Sequence, residues 1–177
     1  NAIRGIKGSH LNSIPEKEKL EHFRLSSCSF QGENDFSDEE LVADHLCKLS
    51  AFSGFKGLRE LELLDKGGFS CFKIEAVYFN AIPNKEFIEK LILERISVEY
   101  FNFSEFKGLR HLSLSNSKYL TSEQFNTIPN KGSIEFLDLT GVDVTGFDFS
   151  KLTGLKKVEL RDVRGLTRDQ FDSIPNK

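Results

Sequence analysis

The chain contains no methionine and no tryptophan, and only 4 prolines and 3 cysteines among 177 residues. With no methionine at position 1, the sequence does not open on a translation start, so any leader peptide is expected to lie outside it. The cysteines, Cys28, Cys47 and Cys71, are odd in number and include no C-x-x-C pair. That pattern points to neither a disulfide framework nor a thiolate metal site, and buried free thiols are the expectation. Positive charge is scarce as well: 24 Lys and Arg against 27 Asp and Glu leave a net charge of −3. No basic field is available to hold a phosphate backbone, so nucleic acid is not an expected partner. Apolar runs are short, as in Leu61-Glu62-Leu63-Leu64, far below the roughly 20 residues that a membrane-spanning helix needs. Catalytic signatures are missing too: there is no G-x-S-x-G, no H-E-x-x-H, and Gly67-Gly68 lacks the flanking Lys-Thr of a phosphate loop.

What the chain has in excess is repetition and phenylalanine, 17 residues against 3 tyrosines. The tetrad Ile82-Pro83-Asn84-Lys85 returns as Ile128-Pro129-Asn130-Lys131 and Ile174-Pro175-Asn176-Lys177, equally spaced, and Ile14-Pro15-Glu16-Lys17 is a diverged copy. A finer L-x-x-L-x-L signal runs between them. It reads Leu20, Phe23, Leu25; Leu58, Leu61, Leu63; Ile88, Leu91, Leu93; Leu109, Leu112, Leu114; Ile134, Leu137, Leu139; and Leu155, Val158, Leu160. The last two apolar positions enclose residues such as Ile92, Ser113, Asp138 and Glu159, a period of two, so each segment reads as one short strand. A single strand of this kind cannot bury its apolar face alone and requires like neighbours.

These motifs resemble the leucine-rich-repeat family over nearly the whole chain. The resemblance implies an α/β fold: a solenoid with a curved parallel β-sheet on its concave face and short helices and irregular Phe-rich segments on its convex face. It also implies that residues 1–177 form a single domain. Two repeat types alternate. In the shorter, residues 88–108 and 134–154, the return path carries Phe101, Phe103 and Phe106, matched by Phe147, Phe149 and Leu152. The common register predicts inward packing rather than a ligand-stacking ladder. In the longer type, Thr121 with Gln124 and Thr167 with Gln170 are capping boxes that predict short convex helices, stopped by Pro129 and Pro175. A third long copy, residues 58–87, has a wider turn expected at Gly67-Gly68. The family often places Asn or Cys at its ninth position; here that position holds Cys28, Lys66, Ile96, Ser117, Val142 and Val163. Without an asparagine ladder there, the turn carbonyls need partners elsewhere.

Residues 31–50 expand the first short repeat. Ser37-Asp38-Glu39-Glu40, followed by Leu41, Val42, Leu46 and Leu49, predicts an inserted helix of about three turns. Ile3, Ile6, Leu11 and Ile14 share the spacing of Val163, Leu166, Phe171 and Ile174. The sequence is therefore expected to begin and end in mid-repeat, as part of a longer array with caps elsewhere.

The outward strand residues are the usual binding face of such an array. Leu64, Ile92 and Phe136 are the apolar candidates for a contact patch, with Lys90, Arg110, His111 and Lys157 around them. His22 and His111 hold equivalent positions three strands apart, about 14–15 Å at sheet spacing, too far to share a metal or a proton. No catalytic, cofactor-binding or metal-binding residue is assigned, and no cofactor is expected. The expected function is a non-enzymatic, monomeric module that holds an unidentified protein ligand. In composition the repeats resemble secreted leucine-rich-repeat proteins of intracellular parasites such as microsporidia, which implies a secreted or host-exposed effector. The sequon Asn102-Phe103-Ser104 points the same way. The alternative is a cytoplasmic adaptor, such as the substrate-recognition half of a ubiquitin ligase, whose repeats the L-T-x-x-Q-F helices resemble. Self-association is a third reading.

Overall fold

The computed structural model describes residues 11–26, 52–65 and 74–175. The three cysteines, Gly67-Gly68 and the inserted helix expected at 31–50 lie outside the described residues. Each apolar alternation is a strand: β1 (His22–Ser26), β2 (Glu60–Leu64), β3 (Lys90–Glu94), β4 (His111–Ser113), β5 (Phe136–Asp138) and β6 (Lys157–Glu159). They form one six-stranded sheet in chain order, and every pairing is parallel. The register aligns Leu61, Leu91, Leu112, Leu137 and Val158 in one row, of which the four leucines are fully buried.

Short helices occupy the connections: α1 (Ala76–Asn80), α2 (Ser122–Asn126) and α3 (Arg168–Asp172). Both expected capping boxes are formed, Thr121 with Gln124 and Thr167 with Gln170. No helix among the described residues is long and apolar enough to cross a membrane. The return-path phenylalanines Phe101, Phe103, Phe106, Phe147 and Phe149 are buried behind the sheet, as their register predicts. Phe79 of α1 stacks on Phe101 at 4.1 Å, and Phe125 of α2 stacks on Phe147 at 4.4 Å. Phe103 and Phe149 meet the same two helix rings edge-on. A period of 46 residues therefore repeats in side-chain geometry as well as in sequence.

The tetrads are structural. Ile82, Ile128 and Ile174 are buried. Asn84 and Asn130 take the left-handed conformation, φ 57° and 52°, which asparagine tolerates better than most residues. Their amides donate to the carbonyls of Lys56 at 2.9 Å and Lys107 at 3.2 Å. Lys85 and Lys131 are buried, 1% and 3% exposed. The Lys85 ammonium donates to the Asn80 carbonyl at 2.8 Å and pairs with Glu105 at 3.3 Å. That of Lys131 lies 4.6 Å from the centre of the Phe125 ring, and burial holds its pKa below the ordinary lysine value.

The recurring Gly-Leu step before β2, β4 and β6 has a steric cause. A Cβ on Gly108 would stand 2.7 Å from the Glu86 carbonyl oxygen, and one on Gly57 2.9 Å from that of Glu18. Backbone has to move to admit either. Gly108→Ala is expected to cost about 1–3 kcal/mol, the range for overpacking, read from chemical denaturation; an unchanged midpoint would contradict this close approach.

Candidate functional site

Because successive strand residues point to opposite faces, the residues between the buried leucines line up across the sheet on its other face. His22, Glu60, Lys90, His111, Phe136 and Lys157 form one continuous row in register. Arg24, Glu62, Ile92, Ser113, Asp138 and Glu159 form the next.

The two halves of this face differ in chemistry. On β1 to β3 the charges satisfy one another. His22 Nδ1 lies 3.1 Å from Glu60, Arg24 3.4 Å from Glu62, and Lys90 Nζ 2.5 Å from Glu62 and 3.5 Å from Glu60. Burial pushes Glu60 up, but the hydrogen bond from His22 and the Lys90 charge outweigh it, so its carboxyl lies below the usual range. Lys90 is raised, first by its hydrogen bond to Glu62. On β4 to β6 the centre is aromatic. The His111 imidazole stacks on Phe136 with ring centres 4.3 Å apart and planes 21° from parallel. Lys157 Nζ stands 5.1 Å over the same Phe136 ring and 2.8 Å from Glu159. Ile92 is half-buried on β3, in register with Ser113 of β4. Small Ser113 separates Ile92 from Asp138 and donates to that carboxylate at 3.2 Å. Among the described residues no three His, Cys, Asp or Glu side chains are grouped to hold a metal ion.

The chain matches no family model, no curated protein and no solved structure. The face therefore has to be read from its own chemistry.

Of the seven residues expected to form the patch, the structure brings five together: Lys90, Ile92, His111, Phe136 and Lys157. Leu64 is a correction. It is only 6% exposed, because it lies on an interior strand paired on both sides, where alternation alone would leave it open. Arg110 is present but engaged elsewhere. It precedes β4 and pairs at 2.9 Å with Glu135, which Lys156 also holds at 2.6 Å. Sequence spacing could not distinguish this line of ion pairs at the strand starts from the face itself.

The face responds to acid in one direction. Burial, then the Lys90 charge, holds His111 below its ordinary value against the pull of Glu62, Glu60 and Asp138. The folded state thus favours the neutral ring, and the unfolded chain binds the proton more readily. Stability falls as pH drops from the ordinary histidine value of about 6.5 toward the lower folded one. Glu60 and Glu159 act in the same sense over a more acidic range, since both are lowered by their cationic neighbours despite burial. Their stabilisation is present above the unfolded carboxyl value and is lost as pH falls through the folded one. His111→Asn is expected to flatten the stability slope just below neutral pH while leaving the carboxylate-driven loss in place, as read by thermal denaturation across pH. A slope identical to that of the parent chain would exclude His111 as its source.

Proposed function

We propose that the chain is a leucine-rich-repeat solenoid, with the strand face concave, and that this face binds a protein partner without catalysing a reaction. The observation that carries the reading is the Ile92, His111 and Phe136 centre, with Lys157 over the Phe136 ring. An aromatic anchor inside a rim of charge is the anatomy of a protein interface. The chain-ordered parallel sheet and the 46-residue period support the solenoid. The charges on β1 to β3 are already paired with one another, which directs the partner's apolar contacts to Ile92 and to β4 and β5 and leaves the paired charges to set orientation.

The test compares partner recovery by the parent chain and by an Ile92→Ala, Phe136→Ala double variant. Affinity is expected to fall by about tenfold or more, and equal recovery would remove this face from consideration. A single monomeric mass across a wide concentration range in light scattering is expected; a mass that rises with concentration would favour self-association. The secreted, host-directed role rests on composition and repeat style. A complete reading frame that opens on a signal peptide would support it, whereas an F-box-like helical segment upstream would support the adaptor.

A further inference from the structure

A second surface, off the strand rows, lies where the connection after β3 meets the connection after β4. Parallel bridging of Ser97 with Lys118 joins the two segments. Gln124 ties them further by donating to the carbonyls of Val98 at 2.9 Å and Phe101 at 3.0 Å. Between them opens a cleft of about 670 Å³, with Glu99, Tyr100, Tyr119 and Glu123 in its lining, within the size range of ligand sites. Tyr100 and Tyr119, one from each segment, are 77% and 66% exposed. The Glu99 carboxylate accepts a hydrogen bond from the Tyr100 hydroxyl, which joins the two groups in one site.

The internal repeat supplies a control. Both tyrosines have φ of 62°, a left-handed conformation that is uncommon for bulky side chains. One period further on, the same two positions are Gly146 and Gly165, with φ of 74° and 70°. Glycine is what this backbone asks for, so the tyrosines stand there against local preference and with little burial in return. Glu99 is likewise replaced, by Thr145. Two aromatic faces and one carboxylate, that of Glu99, have thus been added together to one copy of a repeated frame, beside Glu123, whose position keeps a carboxylate as Asp169 in the next copy. Aromatic faces attract cations, carboxylates attract them further, and a planar guanidinium suits both.

We propose that this cleft is a binding site for a basic segment of a polypeptide, holding an arginine side chain between Tyr100 and Tyr119. The open cleft leaves most of a small cation in water, whereas a peptide adds backbone groups for Asn102 and Thr121, which also line it. The site is separate from the strand face and does not depend on what binds there.

The test uses the chain labelled with ¹³C-tyrosine, because its 3 tyrosines give few ring signals and Tyr78, 4% exposed, is a built-in reference. Titration with a blocked pentapeptide carrying one central arginine is expected to shift the Tyr100 and Tyr119 signals saturably and leave Tyr78 still. Citrulline in place of arginine is expected to weaken binding by about tenfold or more, and glutamate to abolish it. Methylguanidinium alone is expected to bind at least about tenfold more weakly than the peptide. Tyr100→Gly and Tyr119→Gly are each expected to abolish binding while leaving the melting temperature unchanged or raised; Tyr100→Phe retains binding. Equal binding of the citrulline peptide overturns the charge recognition, and equal binding of methylguanidinium overturns the polypeptide source. A lowered melting temperature in both glycine variants would show the tyrosines to be structural and overturn the site.

Discussion

Truncating Phe125 to alanine is expected to cost about 3–5 kcal/mol, a large share of the 5–15 kcal/mol that holds a typical domain folded. The ring is fully buried. It stacks on Phe147 with planes 11° apart and meets Phe149 edge-on at 5.8 Å. Its loss opens a cavity that two rigid neighbours cannot fill without leaving their rotamers. A second cost follows from Lys131, whose buried ammonium faces the Phe125 ring and otherwise has only long contacts, 3.4 Å to the Asn126 amide oxygen and 3.4 Å to the Asp148 carbonyl. Phe79→Ala removes the equivalent ring one period earlier, where Lys85 holds the Asn80 carbonyl at 2.8 Å instead. The Phe125 variant is therefore expected to be the more damaged of the two. Urea denaturation with unchanged slope and shifted midpoint is the measurement, and a loss below about 1 kcal/mol would contradict the packing described.

Strands and capping boxes were legible in the sequence because their signals are local: a period of two, or Thr and Gln three residues apart. The inward phenylalanines were legible because two copies agreed. Lys85 and Lys131 were not, since lysine ordinarily reads as surface and only its place in the recurring tetrad marked it. The missing asparagine ladder has a substitute that spacing could not reveal. Asn80, at the end of α1, accepts from the Asn102 N–H at 2.9 Å and donates to the Tyr100 carbonyl at 3.2 Å. Asn126, at the end of α2, does the same with the Asp148 N–H at 2.9 Å and the Gly146 carbonyl at 3.1 Å. The repeated Phe-Asn pair was the available signal, but its partners lie some 20 residues away. On the strand face the aromatic centre was legible from alternation. The shielding of Leu64 and the diversion of Arg110 were not, because both depend on the neighbouring strands.

Exchanging one amide group for a carboxylate, Gln124→Glu, is expected to destabilise the chain by about 2–4 kcal/mol at neutral pH. Gln124 Oε1 accepts from the Thr121 N–H at 3.0 Å and closes the capping box, while Nε2 donates to the Val98 and Phe101 carbonyls. Glutamate preserves the first contact. It replaces the second with an anionic oxygen facing two carbonyl oxygens, so the charged form is penalised and its folded pKa is raised. Between the ordinary glutamate value of about 4.3 and that raised value, the folded state binds more protons than the unfolded one, and stability falls as pH rises. This slope is opposite in sign to that of His111 and Glu60, so the variant recovers on mild acidification where the parent chain weakens. Gln124→Ala loses the same bonds but has no group to titrate, and its deficit is expected to be the same at both pH values. Gln170, whose Nε2 donates to the Val144 and Phe147 carbonyls at 2.9 and 3.1 Å, is expected to give the same sign on conversion to glutamate. A deficit in Gln124→Glu that does not change with pH would mean that Nε2 is not the atom facing those carbonyls. The amide would then be turned over, with its oxygen against two others, an arrangement that the capping box and both carbonyls oppose.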